Sequence, residues 1–146
     1  MLGILDFFFG KKTTIKVPEI GTFTARIKRN TQKEIVWSCY EYSSNINKEI
    51  TFLLLGNAKG PYQRQIEETK SILKNKEEIK EQIADLLSEI PSNMKKIQHL
   101  NLADFRLKYI DFSQNEGIIH ELSYESEDGG YFGAVFKDQV IKDILI

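Results

Sequence analysis

Apolar residues recur along the chain in two rhythms, one of two residues and one near four, and the change of rhythm marks out the elements. From Thr13 to Val17 the pattern alternates, with Ile15 and Val17 on one face. Thr22 to Lys28 alternates more cleanly. Phe23, Ala25 and Ile27 share one face and Thr24, Arg26 and Lys28 the other, as in a half-buried antiparallel strand. Pro18 to Gly21 breaks the chain between these two segments. The runs 34–42 (EIVWSCYEY) and 49–56 (EITFLLLG) carry apolar residues at odd and even positions alike, which predicts central strands covered on both faces. Asn45, Ile46 and Asn47 mark the turn between them.

The longer rhythm follows. Gly60 and Pro61 are read as the opening of a first helix, since proline is tolerated at the first helical position. Tyr62, Ile66, Thr69 and Leu73 then form one narrow stripe. Asn75 with Glu78 three residues on resembles a capping box and predicts a second helix. Its apolar face is Ile79, Ile83, Leu86, Leu87 and Ile90, and Pro91 stops it. Strands are expected to return over 104–112, 117–125, 130–137 and 140–145, joined at Asn115 to Gly117, at Asp128 to Gly130 and at Asp138 with Gln139. The whole predicts a single α+β domain over 1–146, with a mainly antiparallel sheet in β4-α2-β4 order and two amphipathic helices packed on it. Residues 1–10 form an apolar N-terminal segment.

Composition narrows the function classes. With 146 residues, 41% hydrophobic and 28% charged, the chain has the balance of a globular domain, which excludes collagen, extended disorder and a multi-span membrane protein. A net charge of -1 gives no whole-molecule attraction to nucleic acid or to membranes, and neither is the expected partner; a homo-oligomer stays open. The single cysteine, Cys39, excludes an internal disulfide and suits a reducing, cytoplasmic setting. The opening MLGILDFFFGKK lacks the order of charge, apolar core and cleavage site of a secretory signal, and Gly3 is out of place for myristoylation. It is too short to span a bilayer, which takes about 20 residues. Phe7, Phe8 and Phe9 are expected to pack against their own domain; the alternative is a surface anchor over residues 2–9.

No catalytic motif is present: no P-loop, no G-x-G-x-x-G, no H-E-x-x-H, no G-x-S-x-G and no paired C-x-x-C. No catalytic residue, cofactor or metal ligand is therefore assigned. His99 follows the second helix, and His120 shares a strand face with Ile118, Leu122 and Tyr124, where a lone histidine reads as a core-edge residue. Glu125, Glu127 and Asp128 crowd one hairpin without the twelve-residue calcium-loop spacing, so a turn is the expected reading. The informative feature is how charge is partitioned. Residues 11–33 hold seven basic side chains against one acid, Glu19; residues 109–136 hold six acids and no lysine or arginine. Alternation sets Glu121, Ser123 and Glu125 on one strand face, with Asp111 on the neighbouring strand. Arg26, Lys28 and Arg29 on the basic side lack the interleaved aromatics of a nucleic-acid surface.

The order of pieces carries a resemblance. A first β-meander, then PYQRQIEETKSILKNKEEI (61–79), then DFRLKYIDFSQNEGIIHELSYES and GYFGAVFKDQVIKDILI, is similar to small bacterial domains of unknown function that recur among candidate immunity proteins of polymorphic toxin systems. The likeness runs from about Gly21 to Ile146. The chain departs from it at Gly133, Ala134 and Val135, where many such domains carry a histidine, so no residue-level role carries over. What it implies is a non-enzymatic protein that binds a toxin. Together with the charge partition, the expectation is a non-catalytic intracellular protein that masks a basic protein partner. Asp111, Glu121, Glu125, Glu127 and Asp128 are its expected contacts. The alternatives are a small-molecule-binding protein or hydrolytic enzyme using Cys39, His120 or Tyr124, and a membrane-surface protein using residues 2–9.

Overall fold

The alternating segments become strands and the four-residue stripes become helices. A computed structural model describes residues 3–28, 33–40, 50–89 and 102–146. A short helix α1 (Ile4–Phe9) leads into strands β1 (Lys11–Val17), β2 (Gly21–Ile27), β3 (Ile35–Cys39), β4 (Thr51–Asn57) and the two-residue β5 (Gly60–Pro61). Helices α2 (Gln63–Lys74) and α3 (Lys76–Ser88) follow, then β6 (Arg106–Asp111), β7 (His120–Glu125), β8 (Tyr131–Lys137) and β9 (Val140–Leu145). The fold is α+β with one mixed sheet. Its strand order is β1-β2-β3-β4-β6-β7-β8-β9, and β5 hangs on the end of β4. Each meander is antiparallel throughout, and the two are joined by a parallel pair, β4 with β6. Parallel neighbours need a long crossover, and α2 with α3 lies within it.

Both helices lie over one face of the sheet. That face is built by alternation: Phe23 and Ala25, then Trp37 and Cys39, Phe52 and Leu54, Ile110, Leu122 and Tyr124, and Phe132 to Phe136 at every second position, all buried. Ile66, Ile72, Ile83 and Leu87 of the helices are buried in the same cluster. The Trp37 indole satisfies its N–H on the Asn57 carbonyl at 3.0 Å, and the Tyr124 hydroxyl donates to the Lys76 carbonyl at 3.3 Å. The buried stem of Lys80 carries its ammonium to the Phe105 carbonyl at 3.2 Å and to Glu77 at 2.9 Å.

Several local expectations are corrected. Among their described residues, the runs 34–42 and 49–56 are fully covered on one face, and on the other face only Leu55 is buried. Val36 is 47% exposed and Leu53 partly so, because the helices lie on the side of Trp37 and Phe52. Gly60 and Pro61 do not open a helix but pair as β5 with Asn57 and Gly56. The hairpin is so tight that a Cβ on Gly56 would collide with the Gly60 carbonyl. Helix α2 begins two residues later, after Tyr62, with no side-chain cap. Asn75 separates α2 from α3, but its amide donates back to the Ser71 carbonyl at 3.0 Å, so no capping box forms. Asp104 lies in a 3-10 turn ahead of β6, and the left-handed Glu116 and Gly117 keep their segment out of β7. Phe8 and Phe9 of α1 are each 59% exposed and Ile4 79%, contrary to the expectation that these two phenylalanines pack inward; the side chain of Phe7 lies outside the described part of the structure. Arg29, the turn at 45–47, Ile90, Pro91 and His99 lie outside the described residues.

Candidate functional site

Opposite the helices, the sheet presents a face whose register aligns charged residues in rows. Thr24 pairs with Ser38, Ser38 with Leu53, Leu53 with Asp111, and Asp111 with Glu121. Directly paired residues project to the same side of a sheet, so this row crosses from the first meander to the second on one face. Asp111 and Glu121 are thus immediate cross-strand neighbours, the arrangement that repels most. Glu125 stands two rows further along β7 on the same face, opposite Arg106 in register.

Neutral donors hold the two neighbouring carboxylates in place. Asp111 Oδ1 accepts from the Ser113 backbone N–H at 2.7 Å and from its hydroxyl at 2.6 Å. The Gln114 amide bridges the pair, donating to Asp111 Oδ2 at 3.2 Å and to Glu121 Oε2 at 3.4 Å. Glu121 Oε1 accepts from the Ser123 hydroxyl at 3.2 Å and the Tyr131 hydroxyl at 3.3 Å. Burial is the main cause that pushes the Tyr131 hydroxyl above its usual range, with nearby Glu121 and Glu125 adding to it. The hydroxyl therefore stays a donor to Glu121. Three of the five expected contacts, Asp111, Glu121 and Glu125, share the open face.

Glu127 and Asp128 do not join them. They lie in the β7–β8 turn, where the Ser126 hydroxyl and the Gly130 N–H donate to the Asp128 carboxylate and draw its pKa below the ordinary carboxylate value. With Asp104 and Arg106 they border a separate shallow hollow of 360 Å³. Asp128 is committed to its turn, so of the two only Glu127 is a free-standing exposed acid.

The same open face carries the opposite charge at its far end. Lys12 pairs with Arg26 and Lys16 with Thr22, both on the side of Thr24. Five inter-strand steps separate β1 from β7, about 24 Å at 4.8 Å per step. The face is therefore polarised along its width, with Lys12, Lys16 and Arg26 of β1 and β2 at one end, Val36 and Leu53 in the middle, and Asp111, Glu121 and Glu125 of β6 and β7 at the other, where Arg106 stands opposite Glu125. A second acidic surface, Glu77, Glu78, Glu81 and Asp85, lies exposed on α3 on the other side of the molecule.

Between the helices and the end of the second meander is a cleft of 280 Å³. His120 lines it, stacked between Phe112 (centroids 4.7 Å apart) and Phe136 (5.0 Å apart, rings within 4° of parallel). Burial pushes the imidazole down to about 4, so at neutral pH it is an uncharged aromatic plate. Glu68, Glu78 and Gln139 contribute polar groups to the same cleft. The residues weighed for hydrolysis do not converge. Cys39 is buried on β3, three strand steps or about 14 Å from β7. Tyr124 sits four residues along β7 from His120, with its hydroxyl on the Lys76 carbonyl and burial pushing its pKa well up.

Sequence reasoning missed Gln114, Arg106 and the ring stack. Arg106 lay just outside the acid-only window, and its place opposite Glu125 follows only from the β6–β7 register. Tyr131 was accessible in principle, as the residue facing Glu125 across a recognised hairpin. Comparison of the chain with protein-family models, with curated proteins and with solved structures returns no match.

Proposed function

We propose that the protein is a non-catalytic, cytoplasmic binding protein that masks a basic protein partner through the acidic end of its open sheet face, as an immunity protein neutralises a toxin. Asp111, Glu121 and Glu125 are the principal contacts, with Glu127 at the edge. The observation that carries this reading is the Asp111–Glu121 pair. Two carboxylates on adjacent strands are kept together by serine, glutamine and tyrosine donors, with no cation bridging them among the described residues. Such an arrangement costs stability and leaves negative potential directed outward, where a lysine or arginine of a partner is drawn to it. Neutralisation then needs no chemistry, only occlusion of the partner's basic surface.

The reading is tested by capturing partners with tagged protein from a native lysate at low salt and eluting at high salt. A basic protein recovered in stoichiometric amount with the unaltered chain, and lost with Glu121→Lys plus Glu125→Lys, is the expected result. Equal capture by the charge-reversed chain would sink the proposal. A second reading, favoured by the His120 cleft, is that the protein binds a small flat molecule between α2, α3 and Phe136. His120→Ala would then abolish ligand binding and leave capture of the basic protein intact.

A further inference from the structure

We infer that the α1 end of the β1–β2 ribbon is a docking surface for an anionic lipid membrane. The first observation is apolar exposure. Ile4, Phe8 and Phe9 are 79%, 59% and 59% exposed within a single six-residue helix. Ile4 and Phe8, four residues apart, lie on one helix face. Scattered exposed hydrophobics are ordinary, but three bulky ones gathered on one short element form a patch of the kind that meets a partner or a membrane.

The second observation is what the fold brings beside that patch. Lys11 and Lys12 follow the helix directly, and the antiparallel register sets Ile27 opposite Lys11 and Arg26 opposite Lys12, with Lys28 next in the chain. Lys11, Lys12, Arg26 and Lys28 are all exposed. Paired residues share a side and successive ones alternate, so these cations project from both faces of the ribbon and flank the base of α1. Asp6 is the only acid before Glu19. The helix is also fixed in place. Gly10 is buried at φ 87, its missing Cβ lets it lie against the Ile27 and Lys28 backbone, and the Arg26 guanidinium donates to its carbonyl at 2.9 Å.

Phenylalanines next to a cluster of lysine and arginine are the composition that seats a short element at the headgroup boundary of an anionic bilayer. Each base held near such a surface raises partitioning about fivefold. No helix among the described residues is long and apolar enough to cross a membrane, so the contact is peripheral. The acidic residues of β6 and β7 lie at the far side of the sheet, and the inference stands or falls independently of the masking role.

The test is co-sedimentation of the full chain with vesicles of phosphatidylcholine alone and of phosphatidylcholine with a quarter phosphatidylglycerol. We expect binding to the anionic vesicles at least about tenfold stronger than to the neutral ones. Phe8→Ser with Phe9→Ser, and separately Lys11→Glu with Lys12→Glu, should each weaken it by about tenfold or more. All four side chains are exposed, so unchanged circular dichroism is expected in both variants. Failure to sediment with anionic vesicles, equal sedimentation with both compositions, or undiminished binding by either variant would overturn the inference. So would a concentration-dependent dimer that dissociates on Phe8→Ser with Phe9→Ser while no vesicle binding is seen, since a second copy would then be what covers the patch.

Discussion

His120 shows how a single buried ring couples folding to pH. Stacked between Phe112 and Phe136, it loses hydration, and its pKa falls from 6.5 to about 4. Between those two values the unfolded chain binds a proton that the folded chain refuses, so this contribution to stability is complete above pH 6.5 and drains away as pH falls towards 4. The loss expected is roughly 2 kcal/mol once the part of the ring that reaches water is discounted. His120→Phe keeps the stack and removes the proton. Urea midpoints of this variant should fall less than those of the unaltered chain between about pH 7 and about pH 4.5, and parallel falls would contradict the account. The sequence placed His120 on one strand face with Ile118, Leu122 and Tyr124; Leu122 and Tyr124 do share its face, Ile118 lies in the turn before β7 and is exposed, and the stack was not legible. Phe112 lies beyond the end of β6 and Phe136 on the next hairpin, so the three rings meet only once register is known.

At the scale of elements, the junction of β4, β5 and α2 decides how the two meanders connect. β4 runs alongside β6 only as far as Leu53, after which the strand needs other partners. β5 supplies one for Gly56 and Asn57, and the buried Gln65 side chain supplies another, accepting from the Leu55 N–H at 2.7 Å. Everything depends on Gly56, because a side chain there strikes the Gly60 backbone, which cannot rotate away. Gly56→Ala is therefore expected to cost at least about 2 kcal/mol, read as a lowered denaturation midpoint at unchanged slope. A loss below about 0.5 kcal/mol would mean that the hairpin opens freely. Elements of this chain were legible where one face is buried and the other wet, as in β2 and α3. They were misread where backbone geometry decides, as at Gly60–Pro61, and in part where apolar residues fall at odd and even positions alike, as from Phe52 to Leu55. There Leu53 and Leu55 fall on the open side, and Leu55 is buried all the same, next to Gly117. Periodicity records burial at each position without telling a helix layer from a loop that covers it.

At the scale of the molecule, a net charge of -1 conceals a strong internal dipole across one sheet face. The basic edge carries Lys12, Lys16 and Arg26, the acidic side Asp111, Glu121 and Glu125, and the apolar middle separates them by more than a Debye length at physiological salt. The two ends therefore do not neutralise each other in solution. The charge partition was legible in the sequence, but the exclusion of Glu127 and Asp128 from the acidic face was not. Their turn is closed by Ser126 and Gly130, contacts that no spacing rule anticipates. On the proposed function, basic ligands meet the protein on the open face of β6 and β7 and not on the acidic surface of α3. Titration of the isotopically labelled protein, at low ionic strength, with a peptide of about ten lysines, followed by backbone amide shifts in NMR, distinguishes the two surfaces. The account predicts that the largest shifts cluster at Asp111, Gln114, Glu121 and Ser123 and vanish on adding salt. Shifts centred on Glu77 to Asp85, or spread evenly over both surfaces, would contradict it.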